Sequence, residues 1–135
     1  MGSPGQALTT DGNNPAQLSW ATISGGGGSF PLITSINGAF TVGGTGDTTN
    51  PVAIGASELE RIYLVNTSNA AITVTLPDAS TVNAGFKLQI KRMGSHNITL
   101  APSTGTIDSL NQVLSTQYAS LTLVSDGSTT DWHII

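Results

Sequence analysis

Apolar and polar residues alternate with a period of two through the second half of the chain. Ile62, Leu64 and Asn66 share one face of a run whose other face carries Tyr63 and Val65. Ile72, Val74 and Leu76 alternate with Thr73 and Thr75, and Phe86, Leu88 and Ile90 alternate with Lys87, Gln89 and Lys91. Successive side chains of a strand point to opposite faces, so this period predicts strands with one face on a core. The run 86–91 is the clearest, because three large apolar residues oppose three polar or basic ones. Ile98 and Leu100, Leu121 and Leu123, and Trp132 and Ile134 predict further strands. Turn residues separate them at Ser68-Asn69, Pro77-Asp78, Met93-Gly94, Pro102 to Gly105 and Asp126-Gly127. Strands at about ten-residue intervals predict an all-β fold, a small antiparallel sandwich or barrel over residues 60–135.

Two signals refine the ends of this pattern. Asp126-Gly127 between Leu123-Val124 and Trp132 predicts a hairpin, since glycine accepts the positive φ that tight turns require. The second strand of that hairpin places Ile134-Ile135 against the domain. Residues 30–59 mix apolar positions with a cluster of turn residues between Gly43 and Pro51 and read as an irregular β neck. There Ile36-Asn37-Gly38-Ala39 is a candidate tight hairpin turn. Ser57 and Glu60 have the spacing of a capping box, but the run that follows, Arg61 to Val65, favours a strand over a helix. Residues 1–29 hold few apolar side chains (Leu8, Leu18, Trp20 and Ile23) and read as an extended connector.

Within that connector, Gly5-Gln6-Ala7-Leu8-Thr9-Thr10-Asp11-Gly12 followed by Ser19-Trp20-Ala21 resembles the connector of phage tail fibres and bacterial trimeric fibre adhesins. The stretch from about Ile62 to Ile135 resembles the small β domain at the tip of such fibres. Its matching pieces are Ala71 to Pro77, Ala119 to Gly127 and Trp132 to Ile135. The resemblance implies an intertwined homotrimer whose tip binds a carbohydrate or protein on a target cell. It also implies an extracellular place, on a virion tail fibre or a bacterial cell surface. Two other readings are a purely structural domain that caps and registers the trimer, and part of a polysaccharide-cleaving tail spike. The resemblance transfers no binding residue.

Composition narrows the partners. Charged residues make up 9% of the chain, far below the roughly 25% of average globular proteins. The net charge is −4 and only Arg61, Lys87, Lys91 and Arg92 are basic, which argues against nucleic acid, whose phosphates call for many cations. Cysteine is absent, so disulfides and thiolate metal sites are excluded. No apolar run of membrane-spanning length is present, so no membrane insertion is expected.

Candidate chemistry is sparse. The acids fall mostly at predicted turns, where Asp bonds its own backbone, and nothing marks Glu58 and Glu60 as a catalytic pair. His96 and His133 lack metal-ligand spacing. No catalytic residue, metal or cofactor is therefore expected. Gly43-Gly-Thr-Gly46 lacks the lysine of a phosphate loop and reads as a turn. Asn66-Thr67-Ser68 and Asn97-Ile98-Thr99 match the glycosylation triplet, which a chain rich in Asn, Ser and Thr contains by chance. Trp20 and Trp132 read as packing residues, whereas Tyr63 and Tyr118 are the aromatic faces left for a ligand. Arg92 and His96 flank the Met93-Gly94 turn as donors for a glycan. The candidate ligand-binding set is Arg92, His96, Asn97 and Tyr118, carried on turns of a rigid scaffold.

Overall fold

The computed structural model describes residues 6–10, 18–22, 32–109 and 112–135. In the connector region, β1 (Gln6–Thr10) and β2 (Leu18–Thr22) pair antiparallel, with Leu8 opposite Trp20. The Asp11-Gly12 pair between them lies outside the described residues. From residue 32 onward the strands are β3 (Leu32–Ile36), β4 (Phe40–Thr41), β5 (Glu60–Val65), β6 (Ile72–Leu76), β7 (Lys87–Arg92), β8 (Ile98–Pro102), β9 (Gln112–Leu114), β10 (Ser120–Ser125) and β11 (Trp132–Ile134). Among the described residues, helix is limited to one 3-10 turn at Ala79–Thr81, started by Asp78, whose side chain accepts from the Ser80 N–H. The chain is all-β.

The strands form a five-stranded sheet in the order β11-β10-β7-β5-β3 and a four-stranded sheet in the order β4-β6-β8-β9. Both sheets are mixed, which corrects the expected antiparallel sandwich. β3, β5 and β7 are mutually parallel, as are β4, β6 and β8, while β9, β10 and β11 add antiparallel. The reason lies in the connections. From β3 to β8 the chain crosses after each strand to the other sheet, runs back along it, and returns to lie beside the strand it left. The crossover that a parallel pair requires is thus a strand of the opposite sheet, and the chain winds as a flattened coil. Thr34, Tyr63 and Ile90 stack in register on successive turns of this coil. Asn37-Gly38 is therefore a sheet-to-sheet corner between β3 and β4, and not the hairpin turn its sequence suggests. The strands of residues 30–59 belong to the same two sheets as those that follow. The C-terminal hairpin forms as expected, with Ser125 opposite Trp132 and Gly127 at φ 72°, but Ile134 and Ile135 are exposed and do not pack against the domain.

One apolar core fills the space between the sheets. The five-stranded sheet contributes Ile36, Tyr63, Val65, Leu88, Ile90, Leu123 and Trp132; the four-stranded sheet contributes Phe40, Ile72, Val74, Leu76, Ile98, Leu100 and Leu114. The period-two pattern is realised directly, since β7 buries Leu88 and Ile90 and turns Lys87, Gln89 and Lys91 outward. Trp132 is fully buried, its ring meets Phe86 edge-on at 6.3 Å, and its indole N–H donates to the Pro77 carbonyl at 2.9 Å. It is the packing residue expected. Tyr63 is not an available aromatic face: it is buried and tilted against Phe40 at 4.8 Å between ring centres.

Candidate functional site

The winding sets which loops meet. Strands β3, β5 and β7 end, and β4, β6, β8 and β10 begin, at the same end of the sandwich. The corner at 37–39 and the loops 66–71, 93–97 and 115–119 therefore gather there, and with them all four predicted site residues. His96 and Asn97 are exposed. The Thr67 carbonyl accepts both the His96 backbone N–H, at 3.1 Å, and a contact from His96 Nδ1 at 2.8 Å. This fixes the proton on Nδ1 of the neutral ring and leaves Nε2 directed away from that contact as an acceptor. The Asn97 carbonyl accepts from Ile72, which ties the loop to β6 at 3.0 Å. Tyr118 is 59% exposed and sits at φ 63°, a left-handed conformation uncommon for a bulky residue.

Arg92 is the exception. It is the last residue of β7 and only 3% exposed. It continues the inward row of Leu88 and Ile90, so its side chain enters the sandwich end where the sequence reading placed an exposed donor. Its Nη2 donates to the Ser95 carbonyl, while Nε and Nη1 have no partner, and neither does the buried Thr67 hydroxyl. Gly94 is required beside them: a Cβ there would lie 2.3 Å from the Ser68 nitrogen. His96, Asn97 and Tyr118 thus share a solvent-facing rim, and Arg92 lies beneath it.

At the opposite end the structure holds a charged cluster that the sequence reading passed over. Arg61 is fully buried on β5. Its Nε donates to Glu58 Oε1 at 2.5 Å and its Nη1 to Asp47 Oδ2 at 3.2 Å. The guanidinium also donates to the carbonyls of Pro51, Val52 and Ala53 at 3.1, 2.7 and 3.0 Å. Tyr63 donates to Asp47 Oδ2 at 2.6 Å, and the Thr49 N–H to Asp47 Oδ1 at 2.9 Å. Burial pushes the Asp47 carboxyl up, but the hydrogen bonds from Thr49, Tyr63 and the Gly43 N–H outweigh it and hold it below its ordinary value. Burial and the Asp47 bond push the Tyr63 phenol up to about 12. Burial also opposes the Arg61 charge, yet the bonds to Glu58 and Tyr63 raise its pKa further. Every guanidinium nitrogen is engaged in a hydrogen bond. The cluster fastens the loop 43–59 over the end of the first coil.

A third group lies on the C-terminal hairpin. His133 Nδ1 is 3.2 Å from Asp108 Oδ1, and its Nε2 is 4.0 Å from Asp126 Oδ2, all three side chains being well exposed. N–H groups of Thr129 and Ser128 lower the Asp126 carboxyl to about 2. The Ile134 N–H likewise lowers Asp108, with a smaller contribution from His133. Asp108 and Asp126 thus serve first as backbone acceptors in turns. The second ring nitrogen of His133 faces a carboxylate and not a nucleophile, so no catalytic relay is assembled. Near the fastened loop, Val42, Gly43, Ala53, Ile54, Pro77, Thr81 and Val82 line an open apolar depression of about 210 Å³. None of its lining residues is charged.

Among the described residues no group of three or more His, Cys, Asp or Glu is placed to hold a metal ion, and no helix is long and apolar enough to cross a membrane. The chain matches no protein-family model, and no curated protein is significantly similar to it.

Proposed function

We propose that the chain is the target-binding tip of a homotrimeric extracellular fibre, recognising a glycan or protein on a cell surface without catalysing a reaction. The observation that carries this reading is the gathering of loop-borne His96, Asn97 and Tyr118 on one rim of a rigid β scaffold. Such a rim offers an acceptor nitrogen, an amide and an exposed aromatic face. Sugars suit that set, because their C–H faces stack on aromatic rings and their hydroxyls pair with amide and imidazole groups. Repetition of the rim in three chains converts weak single sites into firm adhesion on a surface displaying many copies of the ligand. The connector resemblance supports the trimer.

Two measurements test the reading. Light scattering should return three times the 13.8 kDa of one chain; the mass of a single chain at micromolar concentration rejects the trimer. A glycan and target-cell binding screen should give binding that falls at least tenfold when His96, Asn97 and Tyr118 are together replaced by alanine. A folded trimer that binds nothing would leave capping and registering the fibre as its role.

A further inference from the structure

We propose that the rim end of the sandwich contains a built site for one small anion, formed by the guanidinium of Arg92 and the hydroxyl of Thr67. Arg92 Nε and Nη1 and Thr67 Oγ1 are buried side-chain atoms without a hydrogen-bond partner. Buried polar groups in folded proteins are nearly always paired, and a buried charge without a partner is far more costly than a neutral group. Each of the three atoms can donate, and one donor group carries a full positive charge, so the missing partner is an acceptor and preferably an anion. The structure supplies Arg61 with two carboxylates and three carbonyls. Among the described residues Arg92 has one carbonyl, that of Ser95, and no carboxylate within ion-pair distance.

The two residues come together through the strand register. Val65 is opposite Arg92 on parallel neighbours, the Met93 N–H donates to the Val65 carbonyl at 2.8 Å, and the His96 N–H donates to the Thr67 carbonyl at 3.1 Å. Arg92 follows Leu88 and Ile90 on the inward face of β7, and Thr67 follows Tyr63 and Val65 on the inward face of the β5 strand line. Both side chains therefore enter the same end of the core. Gly94 lets the two backbones approach closely. His96 cannot neutralise the guanidinium, since an imidazole carries no negative charge, and its Nδ1 is committed to the Thr67 carbonyl. The residues that follow Arg92 in the same loop, Ser95, His96 and Asn97, are exposed, which places the buried donors beneath the rim. The occupant is a chloride-sized or carboxylate anion, free in solution or carried by an acidic sugar. Such a site can be filled whether or not the rim binds a glycan.

Thermal unfolding at fixed pH and ionic strength tests it, in sodium chloride, sodium acetate or sodium glucuronate against a bulky sulfonate that a closed pocket excludes. An anion that binds the native state alone should raise the melting temperature progressively with its concentration, by several degrees at a hundredfold excess over its dissociation constant. Arg92→Met should fold, melt no lower than wild type in the sulfonate, and lose the anion response. Thr67→Val should weaken it. Arg92→Lys, which keeps the charge, should retain part of it and covers the case in which the methionine variant does not fold. A response to glucuronate as well as to chloride or acetate would make the site part of the rim's ligand recognition; a response to the small free anions alone would make it an internal structural site. Equal melting of the wild type in all four salts, or an undiminished response in Arg92→Met, overturns the proposal.

Discussion

The Tyr63 hydroxyl donates to Asp47 Oδ2 across 2.6 Å, and Arg61 Nη1 reaches that same oxygen at 3.2 Å. One carboxylate oxygen thus links the middle of β5 to the long loop that follows β4. The loop has few apolar side chains to bury, and this polar contact replaces the packing it lacks.

Removing the cation should therefore release the loop. Arg61→Ala leaves Asp47 and Glu58 buried without a counter-charge and leaves three loop carbonyls unbonded. A loss of about 3–5 kcal/mol is expected, the range for breaking a buried pair from one side. Denaturant unfolding measures it, and limited proteolysis should show new cleavage within residues 43–59 before global unfolding. Unchanged stability with an uncut loop would contradict the role.

The same cluster sets an alkaline limit. The Tyr63 phenol is pushed up to about 12 in the fold, above the roughly 10 of an unfolded chain. A folded pKa above the unfolded one means the stabilisation is complete below about pH 10 and is lost as pH rises toward 12. Tyrosine absorbance followed during an alkaline titration should contain a late component that coincides with unfolding. Tyr63→Phe should lack that component.

At the acid end the sign is reversed. Asp126 is lowered to about 2 in the fold, below the roughly 3.9 of an unfolded aspartate. Its contribution is present above about pH 4 and is lost as pH falls toward 2. Asp126→Asn should flatten this limb of the stability curve, read as melting temperature against pH, by lowering the melting temperature above about pH 4 while leaving it nearly unchanged near pH 2.

Trp132→Ala should cost about 3–5 kcal/mol, as large aromatic truncations in cores do. It removes a fully buried ring together with its edge-on contact to Phe86 and its bond to Pro77. A variant that melts as wild type but loses binding would move Trp132 from packing to recognition.

Gly94→Ala forces a methyl into the backbone of Thr67 and Ser68. A loss of about 1–3 kcal/mol follows, in the range for overpacking a tight site. Because the strain falls between β5 and β7 at the rim, amide exchange should quicken first around residues 66–68 and 93–97.

The period-two runs made the core faces of β6 to β8 readable, because burial on one face is written locally in the residue order; in β5 both faces carry apolar residues, and Tyr63 proved to be on the buried one. Sheet partnership was not readable. Asn37-Gly38 has the chemistry of a hairpin, and only the position of the sheets decides that β4 crosses over in place of folding back. The inward position of Arg92 was written in the same alternation as Leu88 and Ile90, yet its charge made a turn-borne role the more natural reading. Arg61 was hidden for the same reason. Its partner Asp47 is 14 residues away in sequence, beyond any local pattern. Asp108, Ser109 and Tyr118 adopt positive φ without being glycine, and their residue types give no local signal of it.

The alternation of strands between two sheets also bears on how the chain acquires its shape. Thr34, Tyr63 and Ile90 are neighbours in the sheet but 29 and 27 residues apart along the chain. No hairpin can start that half, and each pairing must close a long loop before any of its contacts form. The antiparallel β10–β11 hairpin can form on its own, but β7 must find β10 across nearly thirty residues. Acquisition of the native state is therefore slow and collective. A truncated or stalled chain would present unpaired parallel strands, prone to joining those of a neighbour.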